Sequence, residues 1–464
     1  MKKTKIIATL GPATAGYLKI VALIKAGVNV FRLNFSHGDM NFFDKVIKNI
    51  KKARENSGEA VAIMQDLQGP KIRTIAMENI VTVKKGEIIT ICNEKHFTDD
   101  SNKTIAIDIK NLYKHITVGQ KIMINDGLVE LKVNKIKNDK ILCLVIAGGD
   151  IAGRKGVNLP GAKLPVNSLT KRDSVNLKYG LKNKVDIVCL SFVRSADDMT
   201  ALKKIILKHK NCSPLVIAKI EKPEAVKDID AILKVSDGIM VARGDLAVEA
   251  GYMNVPQMQK KMILKANETG KLVIVATQML ESMTNNPYPE RAEVTDVYNA
   301  VLDGADTLML SGETSIGKYP EKTVKSMSEI IKKAEADMIK NRKPDLNIMI
   351  KENKSENALS YAAACMPRVL KNCGIAIKTK ELHDITYMSD YRPEKPVIAI
   401  TEKRNLYYQM AIYHGIYPVY IKNPDAEKTA LFLNRKYKNF KTIVYVDYHS
   451  GKRVEGKITL IDVK

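Results

Sequence analysis

The chain has 464 residues, 45% of them apolar and 27% charged, with a formal net charge of +24. This composition excludes a disordered or fibrous protein, and at roughly 150 residues per domain it points to about three domains. No apolar run approaches the roughly 18 residues of a membrane span, so the excess positive charge is set against nucleic acid, an anionic surface or anionic small substrates. From the N-terminus, MKKTKIIATLGP has a basic start but only a short apolar run before Gly11-Pro12, which reads as a strand rather than a signal peptide. The densest basic patch, KVIKNIKKAR (Lys45 to Arg54), alternates with apolar residues at helical spacing and reads as a solvated helix face rather than a nucleic-acid site.

A short β-branched apolar run followed by a helix-compatible segment recurs eight times. The runs are TKIIATLG (Thr4 to Gly11), VNVFRLNFS (Val28 to Ser36), AVAIMQD (Ala60 to Asp66), VDIVCLSF (Val185 to Phe192), PLVIAKIE (Pro214 to Glu221), DGIMVARGD (Asp237 to Asp245), KLVIVATQ (Lys271 to Gln278) and DTLMLSGE (Asp306 to Glu313). Near-continuous apolar strands alternating with amphipathic helices predict an α/β protein with a parallel sheet, and eight of them predict a closed (β/α)8 TIM barrel rather than a doubly wound sheet. The active site of such a barrel lies at the C-terminal strand ends, where Arg32, Asn34, Asp66, Lys219, Glu221, Asp245, Thr277 and Glu313 fall.

Between Lys71 and Val166 the pattern changes to Val/Ile/Thr alternation broken by KKGE, NDG and KND turns, predicting an inserted small β-barrel lid domain hinged near Pro70 and Pro165. After RKPDLN, near Lys343, a second α/β series (CGIAIKT, PVIAITE, YPVYIK, KTIVYVDY, KITLIDV) predicts a five-stranded C-terminal α/β domain. The expected division is 1–70 with 167–343 for the catalytic barrel, 71–166 for the lid and 344–464 for the C-terminal regulatory or interface domain. Six cysteines, Cys92, Cys143, Cys189, Cys212, Cys365 and Cys373, show no CxxC spacing and mostly sit in apolar runs, as reduced core residues of a cytoplasmic protein would.

Side chains two apart on a strand share a face, which pairs Lys219 with Glu221, Arg243 with Asp245, Ser311 with Glu313, and Arg32 with Asn34 and Ser36. Glu221 and Asp245 on neighbouring strands make a hard-oxygen site suited to Mg2+, which takes one or two carboxylates plus substrate oxygens. Arg32, Arg73, Lys219 and Arg243 add cations, so the mouth favours a polyanion that shares the metal. Phosphoryl transfer has these needs: positioning, and neutralisation of moving charge. Each residue also has a plainer reading. A strand-end carboxylate can cap a loop, Lys219 and Glu221 can be an exposed ion pair, Arg243 can orient Glu221 or a loop, and His37 beside Gly38 can be a helix cap. Their joint occurrence at one end of consecutive strands favours the functional reading.

RLNFSHG, DLQGPKIR, GVNLPG, SDGIMVARGDLAVE, ATQMLESM, NPYPERAEVTDVYNAVLDGAD and LSGETSIGKYP, in this order and over the whole barrel, resemble the pyruvate kinase family. The resemblance implies transfer of the phosphoryl group of phosphoenolpyruvate to ADP, then protonation of the enolate to give pyruvate and ATP. It makes Glu221 and Asp245 the Mg2+ ligands, Lys219 the lysine that stabilises charge on the phosphoryl group and enolate oxygen, and Arg32 a phosphate contact. Ala242, Gly244 and Asp245 match the substrate carboxylate pocket. Thr277 matches the hydroxyl near the enolate face, with proton delivery through water and a Ser311–Glu313 network, and Arg243 joins the catalytic set. Asn34, His37, Arg73 and Lys155 occupy nucleotide-contacting positions. A second Mg2+ would arrive with ADP, the inserted domain would close as a lid, and Asp126 matches a lid aspartate preceded here by Asn125. A homotetramer is implied by the resemblance alone.

The chain departs from the family in two places. Many members read Asp-Thr-Lys-Gly-Pro-Glu-Ile-Arg where this chain reads DLQGPKIR, and bind K+ through positions matching Asn34, Ser36, Asp66 and the Leu67 carbonyl. Lys71 replaces the glutamate, and members with lysine there resemble one another in not needing K+. A tethered ammonium raises the local charge by two units relative to glutamate. At ~4 Å and an effective dielectric of ~20 each unit pair is worth ~4 kcal/mol, enough to dominate weak ion binding, so K+-independent activity is expected. In the C-terminal domain the place of a hydroxyl- and glycine-rich phosphate loop reads KTKELHDITYMSDYRP, with Lys378, Thr379 and Lys380 but no glycine, and the late glycine-rich loop is reduced to HSGKRVEGK. Either regulation is weak or another anion uses the lysines. A different enol phosphate or nucleotide is a second enzymatic reading, and a degenerate paralogue binding phosphate ligands or nucleic acid is the non-enzymatic one. Lys219, Glu221, Asp245 and Thr277 together argue against the latter.

Overall fold

The computed structural model describes residues 1–98, 103–162, 164, 167–209, 212–341, 355–370, 372–425, 427, 429, 432–433, 440–449 and 455–462. The chain opens with β1 (Lys5–Thr9), α1 (Tyr17–Ala26), β2 (Val30–Asn34), α2 (Met40–Ser57) and β3 (Ala62–Leu67). α2 starts at Asp39, whose carboxylate accepts the Phe42 N–H at 2.8 Å, and stops at Gly58, where φ is 65°. Its buried stripe is Phe43, Val46, Ile47 and Ile50, while Lys45, Lys48 and Lys52 face solvent.

The chain then leaves this sheet for β4 (Val81–Val83), β5 (Ile88–Cys92), β6 (Thr104–Ala106), β7 (Lys121–Ile124), β8 (Val129–Lys137), β9 (Lys140–Ala147), β10 (Gly149–Ile151) and β11 (Val157–Asn158). Six of these strands pair in the order β11-β7-β8-β9-β5-β6, with β4 and β10 as a separate pair, around a core of their own that includes Ile89, Ile105, Ile122, Leu131 and Val145. The NDG turn joins β7 to β8, and both Asn125 and Asp126 take positive φ (56° and 55°), which short Asx side chains tolerate.

The β/α alternation resumes with α3 (Lys171–Lys182), β12 (Ile187–Leu190), α4 (Ala196–Leu207), β13 (Leu215–Ile220), α5 (Pro223–Lys227), α6 (Ile229–Val235), β14 (Gly238–Ala242), α7 (Arg243–Ala250), α8 (Val255–Glu268), β15 (Leu272–Ala276), α9 (Arg291–Leu302), β16 (Thr307–Leu310), α10 (Gly312–Ser315) and α11 (Pro320–Asn341). All eight expected barrel strands form, and they close in the order β1-β16-β15-β14-β13-β12-β3-β2 with every pairing parallel. One parity of each strand, such as Ile6 and Ala8 or Val216 and Ala218, packs outward with the helices. The other parity, such as Ile7, Val30, Met64, Ile217, Met240 and Met309, fills the lumen.

The third series is α12 (Ser355–Cys365), β17 (Cys373–Lys378), α13 (His383–Asp390), β18 (Val397–Thr401), α14 (Arg404–Gln409), β19 (Ile416–Tyr420), β20 (Thr442–His449) and β21 (Glu455–Asp462). These five strands pair as β19-β18-β17-β20-β21, with only β21 antiparallel. The sheet lies against the floor of the barrel: the buried Lys5 Nζ donates to the Ile416 carbonyl at 2.5 Å and sits 4.2 Å from the Tyr417 ring centroid. The boundary near Lys343, the hinge residue Pro165 and residues 450–454 of HSGKRVEGK lie outside the described residues. In the other suspected effector loop, Lys378 pairs with Asp447 at 3.1 Å and the Thr379 hydroxyl bonds Asp384 at 2.7 Å, so both groups already have partners. The six cysteines form no disulfide, and Cys92, Cys143, Cys189 and Cys373 are buried. Among the described residues no helix is long and apolar enough to cross a membrane.

Candidate active site

Lumen parity determines which polar side chains reach the mouth. On β13 the inward series runs Leu215, Ile217 and Lys219 and continues to Glu221. On β2 it runs Val30, Arg32 and Asn34, and on β3 Ala62, Met64 and Asp66. The apolar members plug the barrel, and the last members line or underlie a cavity of about 130 Å3 at the C-terminal strand ends. Arg32, Asn34, Ser36, His37, Lys71, Arg73, Lys219, Glu221, Ala242, Asp245, Thr277 and Ser311 all line it.

A buried charge cluster forms its base. Arg32 grips Asp66 Oδ2 through Nε at 2.8 Å and Nη2 at 2.7 Å, and its Nη1 donates to Thr9 Oγ1 at 3.0 Å. Lys219 Nζ lies 2.8 Å from Ser191 Oγ, 3.1 Å from Glu221 Oε1 and 3.3 Å from Asp66 Oδ2. Burial would push the Lys219 ammonium down, but Asp66 and Glu221 overcome it and hold its pKa above the ordinary lysine value. Burial likewise opposes ionisation of Asp66, yet Lys219 and Arg32 hold its carboxyl below the usual range. Glu221 goes the other way: burial, opposed by Lys219 and reinforced by Asp245, pushes it up. It is 2% exposed, and its Oε2 accepts the Phe192 N–H at 2.7 Å. Glu221, pushed up in part by the Asp245 charge, and Asp245 open to one cavity and form an oxygen-donor pair short of a cation, which fits Mg2+. Among the described residues no group of three or more His, Cys, Asp or Glu is gathered for a metal, so further ligands to an ion here would be substrate or water oxygens.

The β14 and β16 ends differ from the expected strand geometry. β14 stops at Ala242 and β16 at Leu310, so Arg243 and Asp245 open a helix, as do Gly312 and Glu313. The share-a-face argument therefore fails for these two pairs. Arg243 does not line the cavity: it forks onto Asp296 at 2.6 and 2.7 Å and donates to the Thr277 carbonyl at 2.5 Å, which makes it a positioning residue for the loop after β15. Glu313 is fully buried, accepting the Ser311 and Leu280 N–H groups at 2.6 and 3.1 Å, and burial pushes its carboxyl up. It anchors the backbone, and only Ser311 of that pair reaches the cavity. Thr277 takes φ 72°, a left-handed conformation that is a genuine outlier for a β-branched residue. Its hydroxyl accepts the Gly244 N–H at 2.8 Å and donates to the Ala276 carbonyl at 2.6 Å. Gly244 thus touches the site through its backbone.

On the lid side, Lys71 Nζ lies 3.9 Å from Asp245 Oδ1 rather than beside Asp66, whose oxygens are held by Arg32, Lys219 and Ser191. Leu67 has the opposite parity to Asp66 and is fully buried in the layer between barrel and helices, so its side chain does not line the cavity. Arg73 donates to the Arg154 carbonyl at 3.0 Å, and burial together with Arg73 and Lys71 lowers the His37 pKa, keeping its imidazole neutral at pH 7. Lys155 does not line this cavity, although its backbone bonds Thr74. Tyr252 Oη donates to the Asp126 carbonyl at 3.3 Å, a direct contact between lid and barrel. Sequence reasoning missed Ser191, which accepts from Lys219 and donates to Asp66 at 3.2 Å, and Phe192, whose φ of 55° aims its N–H at Glu221. Ile187, Cys189 and Ser191 follow the same inward parity, so the signal for Ser191 was present.

A closed (β/α)8 barrel whose mouth joins Arg32, Lys71, Arg73 and Lys219 to two metal-ready carboxylates defines a class of enzyme built to handle phosphorylated polyanions. The family model described as "Pyruvate kinase, barrel domain" matches residues 1–324. The chain is 39% identical over 426 residues to a protein named pyruvate kinase from Clostridium perfringens, covering 90% of this chain and 88% of that one. It is also 39% identical over 422 residues to one from Thermotoga maritima, covering 90% and 89%, and 38% identical over 421 residues to one from Geobacillus stearothermophilus, covering 90% and 71%. The chain belongs to the pyruvate kinase family and is a phosphotransferase.

Proposed function

We propose that this chain catalyses Mg2+-dependent transfer of the phosphoryl group of phosphoenolpyruvate to ADP, yielding pyruvate and ATP. The observation that carries the reading is the Lys219 ammonium held between Glu221 and Asp66 at 3.1 and 3.3 Å, beneath a cavity that Asp245 and Thr277 also line. Glu221 and Asp245 would hold the metal, whose charge neutralises phosphoryl oxygens during transfer. Lys219 keeps its proton and offers fixed positive charge to the phosphoryl group and the enolate oxygen. Arg32 binds the phosphate. The amide groups of Ala242 to Asp245 receive the substrate carboxylate, and the bond from Gly244 to Thr277 keeps that turn and the hydroxyl in register. Thr277 and Ser311 border the face where a proton is delivered through water. Asn34, His37 and Arg73 contact the nucleotide. Lys155 reaches it only once the lid closes. A second Mg2+ enters with ADP.

Lys71 serves in place of a bound K+. Its ammonium borders the same cavity as Asn34 and Ser36, and Asp66 is already neutralised by two cations, so a monovalent ion would gain little there. The chain divides into a barrel of residues 1–70 and 167–343, a lid of 71–166 and a C-terminal unit of 344–464, and it works in the cytoplasm as a homotetramer. Pyruvate release from phosphoenolpyruvate and ADP with Mg2+, measured in K+ and in a large inert cation, tests both parts. Equal turnover in the two salts is the expected result. Strict K+ activation overturns the role of Lys71, and no Mg2+-dependent pyruvate in either salt overturns the activity.

A further inference from the structure

The chain passes from barrel to lid at Gly69-Pro70 and returns between residues 164 and 167, and side chains join the two parts a third time. Asn158, on β11 of the lid, donates from Nδ2 to Glu249 Oε1 at 2.9 Å, and the Lys222 ammonium donates to the same oxygen at 2.8 Å. Asn158 is 6% exposed and Glu249 7%, so the bond is shielded from water. A buried carboxylate held by an amide and an ammonium together makes a strong, directional contact. Further contacts between lid and barrel are longer: Tyr252 reaches the Asp126 carbonyl at 3.3 Å, Arg194 the Leu164 carbonyl at 3.4 Å, and Lys71 approaches Asp245 to 3.9 Å. Each of the three partners is also placed next to the mouth. Lys222 directly follows Glu221, and Glu249 lies about one helical turn beyond Asp245 on α7. The stretch before Asn158 is bonded to the segment that carries Lys71 and Arg73: the Val157 N–H donates to the Ile72 carbonyl and the Thr74 N–H to the Lys155 carbonyl, both at 2.9 Å. A small cavity of about 40 Å3 beside these side chains borders Lys71 and Asp245, which line the mouth as well.

We propose that Glu249 is a positioning residue for nucleotide binding: it pins Asn158 to the barrel rim, so that the lid turns about this point and brings Arg73 and Lys155 to the nucleotide together. The inference rests on the nucleotide contacts proposed for Arg73 and Lys155. Glu249 touches neither substrate and acts through Asn158, while Lys222 supplies the counter-charge that a buried carboxylate requires. The two segments that bear Arg73 and Lys155 are bonded to one another and therefore move as a unit with β11. With the pin removed, the lid keeps its two chain crossings but loses its shortest side-chain tie, and a nucleotide must then order the lid as it binds, at a cost in conformational entropy. Phosphoenolpyruvate does not bear this cost, because the groups assigned to it, Arg32, Lys219, Gly244 and Thr277, all belong to the barrel. Loss of the pin therefore weakens ADP selectively.

The test breaks the bond and then restores it in reverse. Asn158→Asp sets two carboxylates against one another, Asn158→Ala removes the donor without adding charge, and Asn158→Asp/Glu249→Gln exchanges donor and acceptor while keeping one carboxylate, one amide and the Lys222 charge. Calorimetric titration of each full chain with ADP and with phosphoenolpyruvate, both in the presence of Mg2+, reads binding without turnover. The expected result is an ADP Kd raised about tenfold or more in both single variants, a phosphoenolpyruvate Kd within about twofold of the wild type, and ADP binding recovered to within about threefold in the swapped pair. Equal weakening of both ligands marks a fold defect, an unchanged ADP Kd in the single variants marks an idle contact, and no recovery in the swapped pair marks a cause other than this bond. Each of these overturns the proposal, as does a wild type that fails to bind ADP. The expected binding pattern in a wild type that forms no pyruvate contradicts the phosphoryl-transfer reading and leaves the pin standing.

Discussion

Lys71 and Thr277 show how single residues set this site apart. Lys71 comes within 3.9 Å of Asp245, so its ammonium lies beside a proposed metal ligand and within the cavity that a nucleotide phosphate would share. Lys71→Glu removes that charge and adds the opposite one, and turnover of the variant is expected to become K+-activated by tenfold or more, while the wild type is indifferent to K+. Steady-state rates across a K+ titration check this. Thr277 holds a backbone conformation that costs a non-glycine residue on the order of 1–3 kcal/mol. Thr277→Gly is therefore expected to be as stable as the wild type or about 1 kcal/mol more so in chemical denaturation, yet to lose about a hundredfold in kcat with the hydroxyl. Thr277→Ser, which keeps the hydroxyl, should recover most of the rate. Stabilisation without loss of rate in the glycine variant would remove the hydroxyl from the mechanism.

At the scale of elements, α3 packs against β3 at a point that leaves no room for a side chain. A Cβ on Gly180 would fall 2.1 Å from Gln65 Oε1, and the Gln65 amide is needed there to donate to the Asn176 carbonyl at 2.7 Å. Gly180→Ala is expected to destabilise by about 1–3 kcal/mol and to move Asp66, the next residue on β3, enough to lower activity as well; urea midpoints and turnover measured together check it. The eight strands were legible in the sequence because a strand buried on both faces is continuously apolar, and because lumen parity carries directly from Ile217 to Lys219. That rule failed at Arg243 and Glu313 for a physical reason: backbone that turns into a helix directly after Ala242 or Leu310 no longer alternates its side chains. Such a turn leaves little mark in composition, since ARGD and LSGE read equally well as strand ends. Ser191 was within reach of the parity rule. The left-handed conformations of Phe192 and Thr277 were not, because neither residue type signals positive φ.

At the scale of the whole molecule, the C-terminal sheet is fastened to the barrel floor by the N-terminal lysines. Burial and the neighbouring Lys2 charge drive the Lys5 pKa well below its ordinary 10.5, and burial, partly offset by Glu335, brings Lys2 down to about 7. The folded chain therefore gives up these protons at lower pH than the unfolded chain does. For Lys2 the unfolded state binds more protons between about pH 7 and 10.5, so stability rises with pH there by up to about 1.4 kcal/mol per unit and levels off above 10.5, and Lys5 acts in the same direction. Denaturation midpoints from pH 7 to 10 should climb, and Lys5→Met should flatten the climb. An identical slope in the variant would mean that Lys5 is charged in the folded state.

The net charge of +24 remains spread over exposed lysines such as those of α2, and the mouth draws on only a few cations, with Lys219 at their centre. The most direct test is therefore the stoichiometric formation of pyruvate and ATP from phosphoenolpyruvate and ADP, by the wild type beside Lys219→Met, each with and without Mg2+. The account predicts equal amounts of both products from the wild type with Mg2+ only, and a fall of at least about 10²–10³-fold in kcat for the variant, with circular dichroism unchanged. Full activity in Lys219→Met, or no Mg2+-dependent pyruvate from the wild type, would contradict it.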